Sequence, residues 1–383
     1  MAATGGLVSK AVLDAINRPT ADAISLPNAF YTRDEVLALE RERLFFGGWT
    51  FVTVGAAVAH SGDVLPVTVA GLPALLARTR DGRLNAFHNV CSHRGTRLVS
   101  EPQRKKRVIV CPYHSWTYSL EGELRKTPEF NGPGTDEPAH FSKAAMGLKP
   151  IRCETWHDLV FLNASGDAPP LARTFAALDQ RWSCYDLAEL RYEGSATFDV
   201  DANWKLAIEN FLESYHLPSA HPGLNSYSRM SDHYCMVEPD FLGQGSTQYN
   251  SASAGHGRLP AFPKLPKSRA RMAEYPTFLP NLMLGIHPDH FFAFGVEPLG
   301  PERTRETFHF YFVGDGAMGE DLSEARRTTL ERWKGINAED ISVVEGMQIG
   351  RHSPAYGVAA RFSPYHEPTT HEFQRRVANA LAG

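Results

Sequence analysis

Cysteine is scarce in this sequence, and long apolar runs are missing. Five cysteines among 383 residues are too few for a disulfide-linked scaffold. They favour a reducing compartment, so we expect a cytoplasmic protein. No stretch of about eighteen apolar residues occurs, and no membrane-spanning helix is predicted. The first seventeen residues contain Lys10 and Asp14 and lack the apolar core of a secretory signal.

Strong net charge is missing as well. The formal charge of −4 gives no reason to expect nucleic acid or a membrane surface as a partner. A hydrophobic content of 43% over 383 residues is sufficient for a large core and suggests two domains. Composition therefore describes a globular protein, and function has to be sought in the motifs.

The pattern of apolar residues changes along the chain. Residues 31–46 predict a helix, and from Trp49 to about Leu162 short strands follow, with a hairpin turn at Asp81-Gly82. The later part predicts an α+β domain, because helical stretches alternate with strand-like runs. The helical stretches are 171–187, 203–217 and 322–348, and the strand-like runs are 194–200, 291–296 and 307–313. The segment 242–272 has no sustained period and is either a lid over a pocket or a surface loop.

Two short strings combine cysteine and histidine at a fixed spacing. Cys91-x-His93 and Cys111-x2-His114 are separated by seventeen residues. Two thiolates and two imidazoles from two loops are the ligand set of a Rieske [2Fe–2S] centre, in which histidines replace cysteines on one iron. Structural zinc also takes such a set, but its ligands usually pair as Cys-x2-4-Cys and His-x3-5-His. The mixed pairs favour the iron–sulfur cluster.

The helix predicted over 203–217 leads to further ligand candidates. Its apolar residues follow the i, i+3, i+4, i+7 spacing, and Pro218 disfavours its continuation. On an unbroken helix His216 and His221 would point about 140° apart. The break lets both imidazoles converge on one metal. Two histidines with one carboxylate form the facial triad of non-haem Fe(II) oxygenases.

The best candidate for the carboxylate is Asp340. The run 337–340 predicts a helix start with Asn337 as its N-cap. Asp340 then shares a face with Val344 and points inward, whereas Glu339 lies on a less apolar face. The alternative is that Asp340 only stabilises the N-terminus of the helix.

Taken together, these motifs resemble those of Rieske oxygenase α subunits. Residues 91–95 with 111–116 resemble the cluster motif, 203–221 resemble the mononuclear-iron segment, and 339–348 resemble the helix that carries the third iron ligand. The similarity extends from about Tyr31 to the C-terminus, nearly the whole chain.

The resemblance implies an α+β protein in three parts. These are an N-terminal helical segment (1–48) that packs on the catalytic domain, an all-β Rieske domain (49–162) and a helix-grip catalytic domain (163–383). The implied cofactors are a [2Fe–2S] cluster held by Cys91, His93, Cys111 and His114, and a mononuclear Fe(II) held by His216, His221 and Asp340.

In that family the subunits usually form trimers, and each cluster serves the iron of a neighbouring subunit. The resemblance therefore implies a homotrimer in which an acid links the second cluster histidine to the first iron histidine. By match the acid is Glu213, between His114 of one chain and His216 of the next. Many members have aspartate there, and glutamate occurs mostly in branches that act on quaternary ammonium compounds. Asn210 matches the asparagine near the iron.

The resemblance also implies a multi-component enzyme that consumes O2. A flavin reductase, with or without a separate ferredoxin, would pass electrons from NADH to the cluster. Glu213 favours monooxygenation of a small organic substrate, by N- or O-demethylation or by oxidation of a quaternary ammonium compound. The alternative within the family is aromatic-ring hydroxylation or dihydroxylation. The alternative of another class is a non-catalytic Rieske electron-transfer protein.

Four aromatic residues are candidates for a pocket that holds a cation by cation–π attraction. They are Tyr215, Phe291, Phe292 and Phe294. For each of them taken singly, ordinary core packing is the better explanation. His287 and His290 lie close in sequence without a third metal-binding partner, and we interpret them as structural.

Overall fold

The computed structural model describes residues 8–249, 258–356 and 360–383, and the chain divides into two compact units. One unit contains the described chain up to Leu44 together with the part from Ala172 onward, and the other is Phe45–Leu171. The predicted functional boundaries at residues 48 and 162 stay predictions. None of the helices in the described ranges is long and apolar enough to cross a membrane.

The N-terminal helices belong to the unit that also contains the C-terminal half. They are α1 (Lys10–Ile16), α2 (Ala29–Thr32) and α3 (Asp34–Glu40), and a π-helical turn (Arg41–Phe46) continues α3. The single helix predicted over 31–46 is therefore interrupted, because Arg33 adopts an extended conformation. Glu40, at the end of α3, is fully buried and lies 2.5 Å from Nζ of Lys205. This buried ion pair fixes the N-terminal helices to the helix that begins at Trp204.

The unit Phe45–Leu171 is all-β, as predicted. Its strands are β1 (Thr50–Val54), β2 (Val64–Val69), β3 (Leu72–Arg78), β4 (Leu84–His88), β5 (Val108–Val110), β6 (Thr117–Ser119), β7 (Leu124–Lys126), β8 (Pro150–Trp156) and β9 (Leu159–Asn163). A six-stranded sheet has the order β1-β9-β8-β4-β3-β2, and a three-stranded sheet has the order β5-β6-β7. The hairpin predicted at Asp81-Gly82 joins β3 to β4, and Gly82 has a φ of 84°.

A seven-stranded antiparallel sheet forms the core of the other unit, with the order β10-β16-β15-β14-β13-β12-β11. Its strands are β10 (Leu190–Val200), β11 (His233–Val237), β12 (Leu242–Ser246), β13 (Ala273–Phe278), β14 (Leu282–Ile286), β15 (His290–Gly300) and β16 (Arg303–Val313). The accompanying helices are α4 (Leu171–Arg181), α5 (Trp204–Phe211), α6 (Leu217–Ala220), α7 (Pro222–Asn225), α8 (Ser323–Gly350) and α9 (Pro368–Ala382). The α+β prediction is confirmed.

Several predicted elements differ from the observed ones. The helix expected over 171–187 ends at Arg181, and the helix expected over 203–217 ends at Phe211. The lid or loop predicted over 242–272 is wrong at its start, because Leu242–Ser246 is a buried strand of the large sheet. Residues 250–257 of that segment lie outside the described residues.

The 28-residue helix α8 corrects the helix start predicted at Asn337. Asn337 lies in the interior of α8 and is 5% exposed. Its side-chain amide donates to Oε2 of Glu306 on β16 at 2.9 Å. Because this buried partner satisfies the amide, Asn337 does not need the capping position that its residue type favours.

Candidate active site

Two loops of the all-β unit carry the cysteine–histidine strings, and their backbones repeat one pattern. The amide of Gly95 donates to the carbonyl of Cys91, and the amide of Ser115 donates to the carbonyl of Cys111. Gly95 and Ser115 both have positive φ, 74° and 58°. Each loop thus turns back immediately after its histidine. The first loop follows β4 and the second joins β5 to β6, so both start from the paired backbone of a sheet.

The four predicted cluster ligands come together at these loops. The rings of His93 and His114 lie 4.7 Å apart, and the thiol of Cys111 interacts with that of Cys91, whose Sγ lies 3.2 Å from the hydroxyl of Tyr118. Both cysteines are buried, with 3% and 2% exposure. Burial raises the pKa of the Cys111 thiol.

A buried, unpaired nitrogen indicates what these residues could hold. Nδ1 of His93 has no hydrogen-bond partner in the described parts of the chain. Its ring stacks on Trp116 at 4.7 Å with an interplanar angle of 7°. Burial, followed by the charges of His114 and Arg94, lowers the pKa of His93, so its imidazole is neutral and able to bind a metal. Two thiols and two imidazoles in this arrangement fit a Rieske [2Fe–2S] cluster.

A second group of ligand candidates lies in the other unit. His216, His221 and Asp340 each place one donor atom within 4.8 Å of the others. Oδ1 of Asp340 lies 2.8 Å from Nε2 of His221 and 3.5 Å from Nε2 of His216. These three residues could hold a metal ion, and two histidines with a carboxylate are typical of non-haem iron.

The chain reaches this geometry by breaking α5 earlier than predicted. α5 ends at Phe211, and a loop leads to His216, which immediately precedes α6. Gln244 on β12 stabilises this loop, since its amide donates to the carbonyls of Phe211 and Glu213 at 2.8 Å each. Pro218 lies in the first turn of α6, and His221 follows the last residue of that helix. Both imidazoles can therefore face Asp340 from the two ends of one helical turn.

A carboxylate binds Nδ1 of each imidazole, the ring nitrogen that does not face Asp340. Nδ1 of His216 lies 2.6 Å from Oε1 of Glu213, and Nδ1 of His221 lies 2.6 Å from Oε2 of Glu339. A carboxylate without a proton only accepts hydrogen bonds, so each Nδ1 carries the hydrogen. With a metal bound, each Nε2 would then offer its lone pair as a ligand, as metal-ligating histidines require.

His221 is the more strongly perturbed of the two histidines. Burial opposes its charged form, but the hydrogen bonds and charges of Asp340 and Glu339 outweigh this and raise the pKa of His221 to about 9. A metal ion bound at Nε2 would displace that proton.

An amide also contacts the carboxylate of Asp340. Nδ2 of Asn210, from α5, donates to Oδ1 of Asp340 at 2.6 Å. Asn210 is 8% exposed. Asn210 therefore lies beside the predicted third ligand, Asp340, and orients its carboxylate.

A cavity extends from the triad into the sheet, and its wall is largely aromatic. The rings that line it belong to Phe211, Tyr275, Phe292, Phe294, Phe308 and Trp333. Its polar lining includes Asn337, Ser228 and His233 in addition to the triad. Within the described ranges, no lysine or arginine lines this cavity. The space beside the triad is thus apolar and aromatic, with a carboxylate at one end.

The predicted aromatic candidates divide according to strand alternation. Phe292 and Phe294 line the cavity as expected, whereas Phe291 points to the opposite face of β15 and contacts Trp182. Successive residues of a strand point to opposite faces, which explains the difference. Tyr215 is also wrong as a cavity residue, because it is 55% exposed and stacks on His366.

Glu339 and Trp333 are the residues that the sequence analysis missed. Glu339 was set aside for its less apolar face, yet it bonds to His221. A continuous helix over 322–348 places Trp333 at i, Asn337 at i+4 and Asp340 at i+7. That spacing could have identified Trp333 as a neighbour of the site.

Comparisons with known proteins agree with this geometry. Residues 187–383 match the family described as the catalytic domain of the ring hydroxylating α subunit. Residues 48–138 match the Rieske [2Fe-2S] domain.

Two curated relatives and one solved structure are similar over most of their length. The glycine betaine monooxygenase oxygenase subunit of Chromohalobacter salexigens is 29% identical over 87% of this chain and 80% of the relative. The carnitine monooxygenase oxygenase subunit of Acinetobacter pittii is 27% identical over 87% of each. The crystal structure of a quaternary ammonium Rieske monooxygenase with an inhibitor matches with a TM-score of 0.82 and 25% identity, over 97% of this chain and 99% of that one.

Proposed function

The chain belongs to the ring hydroxylating oxygenase α subunits that carry a Rieske domain, and from this premise we propose that it oxidises the N-methyl group of a small quaternary ammonium compound. The protein is a Rieske non-haem iron oxygenase, and its cofactors are a [2Fe–2S] cluster and a mononuclear iron. The proposal therefore concerns the substrate, the residues and the partners.

We assign the cluster ligands as Cys91, His93, Cys111 and His114, and the iron ligands as His216, His221 and Asp340. The buried free Nδ1 of His93 supports the first set, and the convergence of three donor atoms within 4.8 Å supports the second. When bound, the two groups supply one-electron transfer and the activation of O2.

Three further side chains prepare the site for this chemistry. Glu213 and Glu339 keep a hydrogen on Nδ1 of His216 and His221, which leaves Nε2 free as a ligand. Asn210 donates to Asp340 and fixes the orientation of the carboxylate. In this proposal Glu213 also faces His114 of a neighbouring subunit.

The aromatic wall carries the substrate assignment. Six rings surround a space that, in the described chain, has no lysine or arginine and has Asp340 at one end. A quaternary ammonium has no N–H to donate, so ring faces can recognise it by cation–π attraction, and six of them are present here. Two relatives are named for glycine betaine and carnitine, both quaternary ammonium compounds.

The reaction balances as a two-electron monooxygenation. One C–H bond of an N-methyl group becomes C–OH, and the second oxygen atom of O2 leaves as water with two electrons and two protons from the donor. The hydroxymethyl ammonium then loses its O–H proton, and its C–N bond breaks. The products are formaldehyde and a tertiary amine. The aromatic wall excludes bulk water from the substrate methyl groups during the oxidation.

The partners follow from the same premise. We propose that a flavin reductase, with or without a ferredoxin, delivers electrons from NADH, and that the chain works as a homotrimer. The relatives named as oxygenase subunits are consistent with a separate reductase. A reducing cytoplasm is part of the proposal, supported by the five cysteines, which form no disulfide in the described residues.

A single turnover tests the proposal. The holoenzyme is reduced chemically and exposed to O2 with a panel of quaternary ammonium, N-methyl and aromatic compounds. Products are read by mass spectrometry and by a formaldehyde assay. We expect formaldehyde in equal amount to a demethylated amine from a quaternary ammonium compound.

The variant Asp340→Ala provides the control, because it should lose the mononuclear iron, retain the cluster spectrum and form no product. Addition of one or two oxygens to an arene, without formaldehyde, would contradict the proposal and indicate aromatic-ring oxidation. Loss of the cluster in Asp340→Ala would contradict the assignment of this residue.

A further inference from the structure

A buried chain of hydrogen bonds runs from a carboxylate to one ring of the cavity wall. Nδ1 of His290 lies 2.6 Å from Oδ1 of Asp289. The indole Nε1 of Trp333 donates to Nε2 of the same histidine at 2.9 Å. His290 is 2% and Trp333 is 5% exposed. The sequence analysis interpreted His290 as structural, but here it connects a charge to the substrate cavity.

The chemistry of the three groups fixes the direction of both hydrogen bonds. An indole nitrogen only donates, so Nε2 of His290 must accept. The hydrogen of the neutral ring is then on Nδ1 and points to Asp289. The ring of His287 stacks on His290 at 4.0 Å with an interplanar angle of 4°. Burial keeps the pKa of His287 well below its usual range, so this neighbour adds no charge.

We propose that Asp289 and His290 are positioning residues that polarise Trp333 and make its ring the principal cation–π contact for the substrate ammonium. This inference rests on the proposed function and names the residue that discriminates charge in the cavity. Trp333 packs against Phe292 at 4.7 Å and lies 6.2 Å from Tyr275, both of which also line the cavity.

The physical basis is cooperative polarisation. A hydrogen bond into a histidine that itself donates to a carboxylate is stronger than an isolated one, because each bond polarises the next. The indole N–H then carries more positive charge and the ring more negative charge. A cation is attracted to the negative ring face, and tryptophan is the best of the aromatic side chains for this contact. The hydroxyl of Tyr275 also bonds to a histidine, 3.1 Å from Nε2 of His287, but Nδ1 of that histidine has no hydrogen-bond partner in the described residues, and Phe292 has no polar group.

Two simpler interpretations make different predictions. If the chain only holds Trp333 in place, its loss affects charged and neutral ligands of one shape equally. If Asp289 attracts the cation directly through space, its removal weakens cation binding whether or not Trp333 is present. Only polarisation through the indole N–H gives a loss that is specific for the cation and that disappears together with Trp333.

The experiment is a double-mutant cycle on the holoenzyme with two matched ligands. Choline and 3,3-dimethylbutan-1-ol have the same shape, with nitrogen in one and carbon in the other. Calorimetric dissociation constants are measured for the wild type, Asp289→Asn, Trp333→Phe and the double variant. Iron content and melting temperature are checked for each.

We expect Asp289→Asn to weaken choline binding about threefold and Trp333→Phe to weaken it about tenfold, with little change for the alcohol. In the Trp333→Phe background, Asp289→Asn should have no further effect. As a second measurement, replacement of tryptophan by 5-fluorotryptophan should weaken choline binding in the wild type but not in Trp333→Phe.

The possible failures are distinguishable. A wild type that binds both ligands equally well would refute the proposed function, and the inference with it. A wild type that prefers choline, combined with an Asp289→Asn effect that is equal for both ligands or that persists in Trp333→Phe, would refute only the polarised tryptophan. If Asp289→Asn does not fold, the fluorotryptophan comparison still decides whether Trp333 is the cation contact.

Discussion

Two carboxylates of this protein bind the imidazole nitrogens that face away from the proposed metal site. Glu213 and Glu339 do not belong to the proposed ligand set, yet each determines which nitrogen of a histidine is available. The two carboxylates differ in setting, because the side chain of Glu213 is 12% exposed and that of Glu339 is 52% exposed. One nearly buried carboxylate and one exposed carboxylate thus hold the hydrogen on Nδ1 of the two histidines.

Removal of the Glu339 charge tests this view. Glu339→Gln should lower the affinity for Fe(II) roughly 10- to 100-fold, because the amide orients His221 less firmly and makes its imidazole less basic. The iron titration is read from activity and from metal content, and the cluster spectrum should not change. The control is Glu345→Gln on the same helix, whose carboxylate accepts from the amide of Asp201. Equal losses in both variants would argue against a specific role for Glu339.

Glu213 has a second proposed task, which a different measurement isolates. At saturating Fe(II), Glu213→Ala should retain both the cluster and the mononuclear iron. The rate at which the reduced cluster is reoxidised in the presence of substrate and O2 should fall at least about a hundredfold, because the link to the mononuclear site is absent. Stopped-flow absorption of the cluster follows this rate. Glu213→Asp, with one methylene less, should restore part of it. Full turnover by Glu213→Ala would refute the link.

Residue types and spacing were sufficient to select the candidate ligands of both metal groups, which stay predictions. The mixed cysteine–histidine pairs, the proline after His216 and the inward face of Asp340 all derive from local rules. Glu339 was missed because it lies on a less apolar face of the helix, whereas its partner is His221, 118 positions away in the sequence. No periodicity records a contact of that kind.

Among the elements, α8 and β16 are joined by a buried hydrogen bond close to the proposed metal site. Glu306 on β16 is 4% exposed and accepts from Asn337 in the middle of α8. Burial raises the pKa of Glu306 to about 7; the hydrogen bond from Asn337 opposes this, and the charges of Asp340 and Glu345 add to it. A buried acid that is neutral below neutral pH thus lies between the sheet and the helix that carries the third ligand.

This raised pKa predicts how stability depends on pH. The folded protein binds more protons than the unfolded chain between about pH 4.5 and pH 7, so the contribution of Glu306 is complete at the low end and is lost as pH rises. Glu306→Gln should remove this dependence. Its free energy of unfolding, relative to the wild type, should rise by about 3 kcal/mol from pH 4 to pH 8. Urea unfolding at four pH values measures the difference in the free energy of unfolding between the variant and the wild type. A difference that is the same at every pH would contradict the raised pKa of Glu306.

The elements themselves were only partly predictable. Alternation identified β15 and β16, and helical spacing identified α8. The start proposed at Asn337 was wrong, because a residue that favours caps is tolerated inside a helix when a buried acid accepts its amide. The early end of α5 was also missed, since the hydrogen bonds from Gln244 that stabilise the following loop come from a distant strand.

For the whole molecule, the proposed trimer predicts that electrons pass between subunits. One variant chain lacks a working cluster (His114→Ala), and the other lacks the mononuclear iron (Asp340→Ala). Neither should turn over alone. When the two chains are co-expressed and assembled together, activity should return, because an intact cluster of one subunit then faces an intact iron site of its neighbour. The recovered rate is measured with the reductase present.

A third chain with both substitutions provides the control. Assembled with the His114→Ala chain, it contains no working cluster and should give no activity. Absence of recovery in assemblies proven to be mixed would indicate that each chain uses its own cluster.

The organisation of the whole chain was predicted mainly from the family resemblance. Short strands early and mixed elements late suggested two domains. That the described residues up to Leu44 belong to the same unit as the C-terminal half could not be derived from periodicity. One of the contacts that join them is the buried pair of Glu40 and Lys205, two charges that are 165 positions apart and that compensate each other in an apolar interior.

The helix α8 has one more consequence, for the position at which a substrate is attacked. Trp333 and Asp340 are seven residues apart on this helix, which corresponds to roughly 10 Å along its axis. In the proposed function, a cation held against the indole would present to the metal site the carbons that this separation allows, whatever the length of the remaining tail. Regioselectivity would then depend on helical rise as well as on the reactivity of individual C–H bonds. We expect a relative with one residue more or fewer in this interval to oxidise a different carbon or none.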